Sequence, residues 1–310
     1  MHLLEMKPAA ARVALEAMRA VARADGETET ETRLIEVAAG LLGVDPAVEP
    51  LDLAAIAHAP LDARDARRVV QAAILTALMD GEVDASEVRA VRDIAKALGV
   101  DEPRVKNLEQ VATGQLKMLW MDLARRSWAR NVFVDALKKE GLGGVWKIVG
   151  PLLGGATNPA LAQRYIALGE LPEDTMGHAY FQFVMDGELG FPGEAKGVPE
   201  SGVWHDCAHV LGGFGIEPDE EIQVVSFIAG FSRQDPFFWL FTITLQFHLG
   251  IGVSPYSAPE RGLFDPAKVF AAFERGAAMT EDLSEHGWDP WKYFERPLAE
   301  VRDELNVPAR

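Results

Sequence analysis

Apolar residues recur every three or four positions through residues 1–113, and charged residues fill many of the positions between them. This period places an apolar stripe along one face of each helix. Residues 158–310 keep the same period, and the strict alternation that is typical of strands is scarce there. The pattern therefore predicts an all-α protein with two helical domains, at 1–113 and 158–310.

An internal repeat divides the first of these regions. The sequence ADGE at 24–27 recurs as MDGE at 79–82, and LGVDP at 42–46 recurs as LGVDEP at 98–103. The two offsets are 55 and 56 residues. Each copy predicts an acidic turn followed by a helix of about fourteen residues that ends at glycine.

The acidic turns of the repeat allow two interpretations. Their carboxylates can bind a hard divalent cation, although their spacing is not that of an EF-hand loop. Acidic residues in the first turn of a helix also interact favourably with the helix dipole without any metal. This half of the chain resembles TerB-like domains, a helical fold associated with tellurite-resistance and stress operons, and the resemblance implies that such turns can bind divalent metal. The residues concerned are Asp25, Glu27, Glu29, Glu31, Asp80, Glu82, Asp84 and Glu87.

Residues 114–157 differ from the rest of the chain in charge. They carry seven basic and three acidic residues, a net charge of +4, which leaves −21 for the remainder of a chain whose net charge is −17. Trp120, Trp128 and Trp146 lie among these basic residues. The segment is either an amphipathic stretch that lies on an anionic membrane surface or a helical connector whose tryptophans pack on the next domain.

Two histidines four residues apart, His205 and His209, form the most informative motif of the chain. On a helix they lie one turn apart on one face, where two imidazoles can bind one metal ion. Asp206 points about 100° further round the helix and is either a third ligand or an acceptor that orients a histidine. Glu221 follows a glycine-rich break and Pro218, so we expect it at the start of a second helix. A histidine pair at this spacing can also be structural or solvated.

The motif H-D-x-x-H, followed after eleven residues by E, resembles the metal motif of the Coq-four family of ubiquinone biosynthesis. Residues 171–180 (LPEDTMGHAY) and 291–302 (WKYFERPLAEVR) resemble two further segments of that family. The resemblance covers roughly residues 158–308. It implies four metal ligands, namely His205, Asp206, His209 and Glu221.

Two nitrogen and two oxygen ligands suit zinc, and they also accept iron, manganese or cobalt. The resemblance implies removal of the carboxyl group at ring carbon 1 of a polyprenylated 4-hydroxybenzoate, with a hydroxyl left there in an oxidative version. His178 and His248 are candidates for a catalytic base. The apolar run 236–253 is expected to form a buried helix. That run and Phe227, Phe231 and Phe241 are expected to line a pocket for an isoprenoid tail.

Two alternatives to this enzyme remain open. One is a scaffold that binds a polyprenyl lipid and contains a structural metal, and the other is a TerB-type stress or metal-response protein. The net charge of −17 argues against nucleic acid as a partner, because phosphate backbones attract basic residues. A single cysteine, Cys207, precludes a disulfide within the chain.

No apolar stretch follows a basic one at the N-terminus, so a signal peptide is not expected. We therefore expect a cytoplasmic protein that can bind peripherally to the inner face of the cytoplasmic membrane. The expected partners are an isoprenoid or quinone-precursor ligand, other quinone-biosynthesis enzymes and further copies of the chain in a homo-oligomer.

Overall fold

A computed structural model describes the chain except for residues 1–4, 51, 57–58, 60, 127–156, 255–256 and 286. Across these described residues the chain forms helices joined by turns and loops, and no β-strand occurs among them. Isolated β-bridges join Thr175 to Pro297 and Leu249 to Arg261. The predicted all-α class is therefore confirmed.

The helices of the described residues are numbered here in chain order. They are α1 (Pro8–Ala22), α2 (Glu29–Leu42), α3 (Leu53–Ile56), α4 (Ala63–Thr76), α5 (Ala85–Ala97), α6 (Pro103–Ala112), α7 (Leu116–Arg126), α8 (Pro159–Ile166), α9 (Met176–Asp186), α10 (Val203–Gly212), α11 (Pro218–Phe231), α12 (Pro236–Phe247), α13 (Pro266–Ala277) and α14 (Leu298–Glu304). Short 3₁₀ helices occur at Ala167–Glu170, Glu200–Gly202 and Pro290–Lys292.

The chain forms two compact units. Unit 1 comprises Met1–Asp122 and Asp235–Ala271, and unit 2 comprises Leu123–Gln234 and Ala272–Arg310. Residues 235–271, which the sequence places in the second predicted domain, thus group with the N-terminal half. Most of the predicted connector, including Trp128 and Trp146, lies outside the described residues.

The predicted repeat is visible in unit 1 as two helices with matching ends. Thr28 is the N-cap residue of α2 and Asp84 is that of α5, and each forms a reciprocal capping box with a glutamate three residues later. Gly43 and Gly99 lie just beyond these helices with φ values of 65° and 64°, a left-handed conformation that favours glycine. The prediction that each acidic turn is followed by a helix of about fourteen residues that ends at glycine is therefore confirmed.

Alanine-rich α1 packs chiefly on α4 and contributes small side chains to the core of unit 1. The apolar run predicted as a buried helix forms α12, whose Phe237 and Phe241 are fully buried in the same unit. Trp120 of α7 donates its indole N–H to the carbonyl oxygen of Gly252 at 2.8 Å. Among the described helices, none combines the length and the apolar character needed to cross a bilayer.

In unit 2, α10 packs against both α9 and α11. A close crossing holds the end of α11 against residues 272–277 of α13. A Cβ atom on Gly230 would lie 2.1 Å from the carbonyl oxygen of Phe273, and one on Gly276 would lie 1.9 Å from that of Phe227. The crossing therefore requires glycine on both helices, because a methyl group would overlap backbone atoms.

Candidate metal centre

Local sequence signals set the ends of the two helices that form the site. Helix α10 stops at Gly213, whose φ of 70° is left-handed, and the N–H of Phe214 donates to the carbonyl oxygen of His209 at 3.0 Å. Pro218 occupies the first position of α11, where its missing N–H costs nothing. Glu221 thus lies in the first turn of α11, as the sequence predicted.

The structure brings His205, His209 and Glu221 together, with one ligand atom from each lying within 4.8 Å of the others. The two Nε2 atoms of the histidines are 3.2 Å apart. Glu221 lies 3.4 Å from His209, measured from Oε1 to Nε2, and 3.8 Å from His205, measured from Oε2 to Nε2. Two neighbouring helices therefore point two nitrogens and a carboxylate at one position.

These separations match the coordination sphere of a tetrahedral ion. Ligands that each lie about 2.0–2.1 Å from a zinc ion at tetrahedral angles are about 3.3–3.4 Å apart. The two Nε2 atoms are 3.2 Å apart, and each has one oxygen of the Glu221 carboxylate nearby, Oε1 at 3.4 Å from His209 and Oε2 at 3.8 Å from His205, so these separations are close to this value. Two histidines and a glutamate are also a known ligand set of catalytic zinc sites, which keep a fourth position open. The residues present therefore fit a divalent metal ion.

The three side chains of the site differ in their exposure to solvent. The His209 side chain is 1% exposed, whereas the side chains of Glu221 and His205 are 20% and 31% exposed. A small ligand can therefore approach past His205 and Glu221, while His209 is held inside the protein. Catalytic zinc sites keep one coordination position for water or substrate, and the exposed side chains mark the side from which such a ligand would come.

Electrostatics already favour the metal-binding protonation state of the carboxylate. Burial acts to raise the pKa of Glu221, but hydrogen bonds from His205 and His209 and their charges outweigh it and hold the pKa well below its usual range. Burial by itself lowers the pKa of His205. The hydrogen bond to Glu221 and the charges of Glu221 and Asp206 outweigh this effect, so the pKa of His205 is raised. The carboxylate is thus ionised and close to both imidazoles.

His209 is fixed by partners on its other side. Its Nδ1 lies 3.0 Å from the carbonyl oxygen of Gly215, which can only accept a hydrogen bond. Nδ1 therefore carries a proton, and Nε2, which faces Glu221, is the nitrogen that would bind a metal ion in place of its own proton. The Phe183 ring packs beside the imidazole, with 4.9 Å between ring centroids.

Asp206 lies outside the group of three ligand atoms, and its place as a fourth ligand stays a prediction. Its side chain is buried, and burial raises its pKa to about 6 against the charges of His205 and His209. The hydroxyl of Tyr180 is buried and lacks a well-aligned partner among the described residues. Burial and the charge of Asp206 raise the pKa of this phenol. Asp206 is thus a buried carboxyl group that interacts electrostatically with both histidines.

The two histidines predicted as catalytic candidates do not join the group. His178 Nδ1 lies 3.1 Å from the carbonyl oxygen of Leu171. His248 belongs to unit 1, where its Nε2 contacts the carbonyl oxygen of Met79 at 3.0 Å and its Nδ1 accepts from Phe264 N at 3.3 Å. Both ring nitrogens of His248 are thus engaged, so it is a buried, hydrogen-bonded histidine of the unit 1 core.

A second group of potential ligands lies in unit 1. Asp25, Glu31 and Glu87 each offer a carboxylate oxygen, and these oxygens lie within 4.8 Å of one another. The offset of 56 residues relates Glu31 to Glu87, so the repeat brings equivalent glutamates to one place. The sequence predicted the two acidic turns separately and gave no signal that they meet.

The capping interpretation is confirmed at one oxygen atom of each glutamate, and the metal interpretation stays a prediction for the other. Oε2 of Glu31 accepts from the N–H of Thr28 at 2.8 Å, and Oε2 of Glu87 accepts from the N–H of Asp84 at 3.0 Å. Oε1 of each glutamate is buried without a hydrogen-bond partner among the described residues. Burial raises the pKa of Glu87 to about 9 and also raises that of Glu31. The remaining acidic residues of the two turns lie outside the group.

No protein-family model matches the chain, and no curated protein matches it either.

Proposed function

We propose that the chain is a divalent-metal-dependent enzyme of ubiquinone biosynthesis that removes the ring carboxyl group of a polyprenylated 4-hydroxybenzoate. His205, His209 and Glu221 would hold the ion, zinc being our first choice, and Asp206 would complete or support the site. The observation that carries the proposal is the convergence of three ligand atoms from two helices within 4.8 Å. The resemblance of the three sequence segments supplies the reaction class.

When bound, the ion supplies Lewis-acid chemistry to a substrate oxygen. His209 holds the buried side of the site, and an aromatic carboxylate would approach beside the partly exposed His205 and Glu221. In the simple reaction the bond from ring carbon 1 to the carboxyl carbon breaks, its electron pair stays on the ring, carbon dioxide leaves and a proton takes its place. The oxidative version replaces the carboxyl group by a hydroxyl, which is a two-electron oxidation of the ring carbon. With dioxygen as the oxidant and water as the second reactant, the products would be the phenol, carbon dioxide and hydrogen peroxide.

The surface that would receive the isoprenoid tail differs from the predicted one. Phe227, Phe231 and Phe241 are fully buried core residues, and the run 236–253 lies in unit 1. Two exposed apolar residues of unit 2 lie close to each other and are connected to the site instead. Leu189 and Ile216 both lie within 3.4 Å of a Cβ position at Gly187, and their exposed fractions are 42% and 40%.

This apolar patch, formed by Leu189 and Ile216, connects to the candidate metal centre through the backbone. Ile216 directly follows Gly215, whose carbonyl oxygen accepts from Nδ1 of His209. Exposed apolar patches of this kind mark binding sites for apolar ligands or partners. The patch supports a substrate that has a polar head at the metal and a hydrocarbon tail beside it.

Elemental analysis of the purified protein tests the proposal first. We expect about one transition metal ion per chain, retained in His178→Ala and lost in His205→Ala/His209→Ala and in Glu221→Gln. His178 is the matched control, because it is a histidine of the same unit that lies outside the group. A wild-type protein that binds no metal after reconstitution contradicts the proposal.

A second assay separates the enzyme from the scaffold. Wild-type protein is incubated with a ring-carboxyl-labelled prenylated hydroxybenzoate, with and without dioxygen, and released carbon dioxide and ring products are measured. We expect release that depends on the metal and on Glu221. A protein that retains metal and co-purified isoprenoid lipid but releases no carbon dioxide is the lipid-binding scaffold instead.

The acidic group of unit 1 supports a second candidate function, a TerB-type response to metal. The observation that favours it is the pair of buried, unpartnered oxygens on Glu31 and Glu87, since buried polar atoms without partners are rare in folded proteins. Oxygen ligands select hard cations such as Ca²⁺ or Mg²⁺. We therefore propose that this group binds one such cation.

Calcium and magnesium titrations of the His205→Ala/His209→Ala protein isolate this second site. We expect binding that is lost in Glu31→Gln/Glu87→Gln and retained in Glu36→Gln, an exposed glutamate of the same helix α2. Equal binding by all three proteins would show that the cation does not bind at Glu31 and Glu87.

A further inference from the structure

The C-terminal end of α10 is capped by arginine side chains. The last carbonyl oxygens of a helix have no partner within it. Here Arg302 donates to the carbonyl oxygens of Val210 at 2.8 Å and Leu211 at 3.0 Å. Arg275 and Arg310 donate to the next two carbonyl oxygens, Gly212 at 3.0 Å and Gly213 at 2.7 Å. Three guanidinium groups thus donate hydrogen bonds to four successive carbonyl groups at the end of α10, the helix that carries His205 and His209.

One of these arginines is connected to His209 through a chain of hydrogen bonds. Arg310 Nη2 donates to Oε1 of Glu220 at 2.5 Å. Oε2 of Glu220 accepts from the N–H of Gly215 at 3.2 Å. The carbonyl oxygen of Gly215 in turn accepts from Nδ1 of His209 at 3.0 Å. The residue that fixes the proton on His209 is therefore itself held by Glu220.

Glu220 and Glu221 are adjacent in sequence but face different partners. Both oxygens of Glu220 contact the turn that follows α10 and Arg310. Glu221 contacts the two histidines. Arg310 also packs over the ring of Phe214, 4.9 Å from its centroid, which holds the same turn from a second side.

We propose that Glu220 and Arg310 are positioning residues for the metal centre, which hold Gly215 where its carbonyl oxygen orients His209. This inference rests on the proposed metal centre. Outer partners of metal-bound histidines set the ring orientation, and their loss typically weakens metal binding by about 10- to 100-fold. Neither residue contacts the metal position itself, so both act through the Gly215 peptide.

Glu220→Gln tests the inference with little change in size. A glutamine can accept from Gly215 or from Arg310 with its one oxygen, but its NH₂ group meets a donor on the other side. The chain offers two matched controls in the same turn, Asp219→Asn and Glu217→Gln, which remove the same charge from exposed side chains. A general charge effect at the helix start would appear equally in all three variants.

The measurement is the dissociation constant for Co²⁺ and Zn²⁺, obtained by competition with a chelator, together with the visible spectrum of the Co²⁺ protein. We expect Glu220→Gln and Arg310→Met to weaken binding by about 10-fold or more and to alter the Co²⁺ spectrum. We expect the double variant to lose no more than the stronger single one, because the two residues act through one chain of contacts. Both controls should bind like the wild type.

Two results would overturn the inference, and they can be told apart. If the wild type binds metal and Glu220→Gln matches Asp219→Asn in affinity and spectrum, the positioning role is refuted while the metal centre stands. If the wild type binds neither Co²⁺ nor Zn²⁺, the metal centre and the positioning role both fail. Melting curves of the metal-free variants identify any loss of affinity that comes from unfolding alone.

Discussion

Gly230→Ala provides a sharp test of the helix crossing that holds α11, the helix that carries Glu221. The added Cβ would lie 2.1 Å from the carbonyl oxygen of Phe273. An ordinary contact needs about 3.4 Å, so the two helices would have to move apart by about 1.3 Å at this point. The obstacle is the backbone of residues 272–277, which cannot rotate away as a side chain can. Overpacking of this kind costs about 1–3 kcal/mol, occasionally more, and the intrinsic helix gain of alanine over glycine returns about 0.5–1 kcal/mol.

We therefore expect Gly230→Ala to lower the free energy of unfolding by about 2 kcal/mol, as measured by urea denaturation monitored by circular dichroism. Gly40→Ala in α2 is the matched control, because a Cβ there meets nothing within 4 Å and the helix is already formed. It should stabilise the protein by about 0.5–1 kcal/mol. Equal free energies for the two variants would refute the close crossing.

Three further predictions concern buried polar groups. The pKa of Glu87 is about 9 in the folded chain and 4.5 in the unfolded chain, so the folded state binds an extra proton between these pH values. The free energy of unfolding should therefore fall as the pH rises from 4.5 to 9, by at most about 6 kcal/mol. Glu87→Gln should remove most of this pH dependence, which is measured by denaturation at a series of pH values without divalent ions. Burial lowers the pKa of His248, so the unfolded state binds an extra proton at low pH. The free energy of unfolding should therefore fall as the pH drops below 6.5. His248→Gln should reduce this fall in the same assay. Arg302→Met should cost about 1–3 kcal/mol in urea denaturation because two carbonyl groups lose their donor, and Arg302→Lys should recover part of it; an unchanged midpoint would contradict the capping role.

The sequence predicted the local features of the metal centre well, because they depend on short-range geometry. A spacing of four residues places His205 and His209 on one helix face, and Gly213 and Pro218 mark the end of α10 and the start of α11. Glu221 could be assigned to the first turn of α11 for the same reason. The structure brings these three side chains together as expected.

The sequence could not predict contacts that depend on how distant segments pack. Residues 235–271 group with the N-terminal half, so His248 contacts Met79 across 169 positions of the chain. Neither the hydrophobic period nor the spacing of residues indicates that His248 and Met79 are in contact. The roles of Arg302 and Arg310 were likewise hidden, since their carbonyl partners lie more than ninety residues earlier. The segment 291–302 could be recognised as a motif, but its contact with α10 could not.

The two candidate metal groups differ in donor chemistry, which argues that they serve different ions. The unit 2 group offers two imidazole nitrogens and one carboxylate, a set that suits zinc and other transition metals. The unit 1 group offers carboxylate oxygens alone, which suit hard cations. Each group is built from residues of its own unit and from its own helix starts and stops.

Removal of the ligands of one group should therefore leave the affinity of the other group for its ion unchanged. The two candidate groups share no ligand residue, so each can be tested by itself. The carboxylate site also has a structural cost without a cation, because burial opposes ionisation of Glu31 and Glu87. A bound divalent cation would offset that cost, and stability would then report the occupancy of the unit 1 site without involving the metal centre of unit 2.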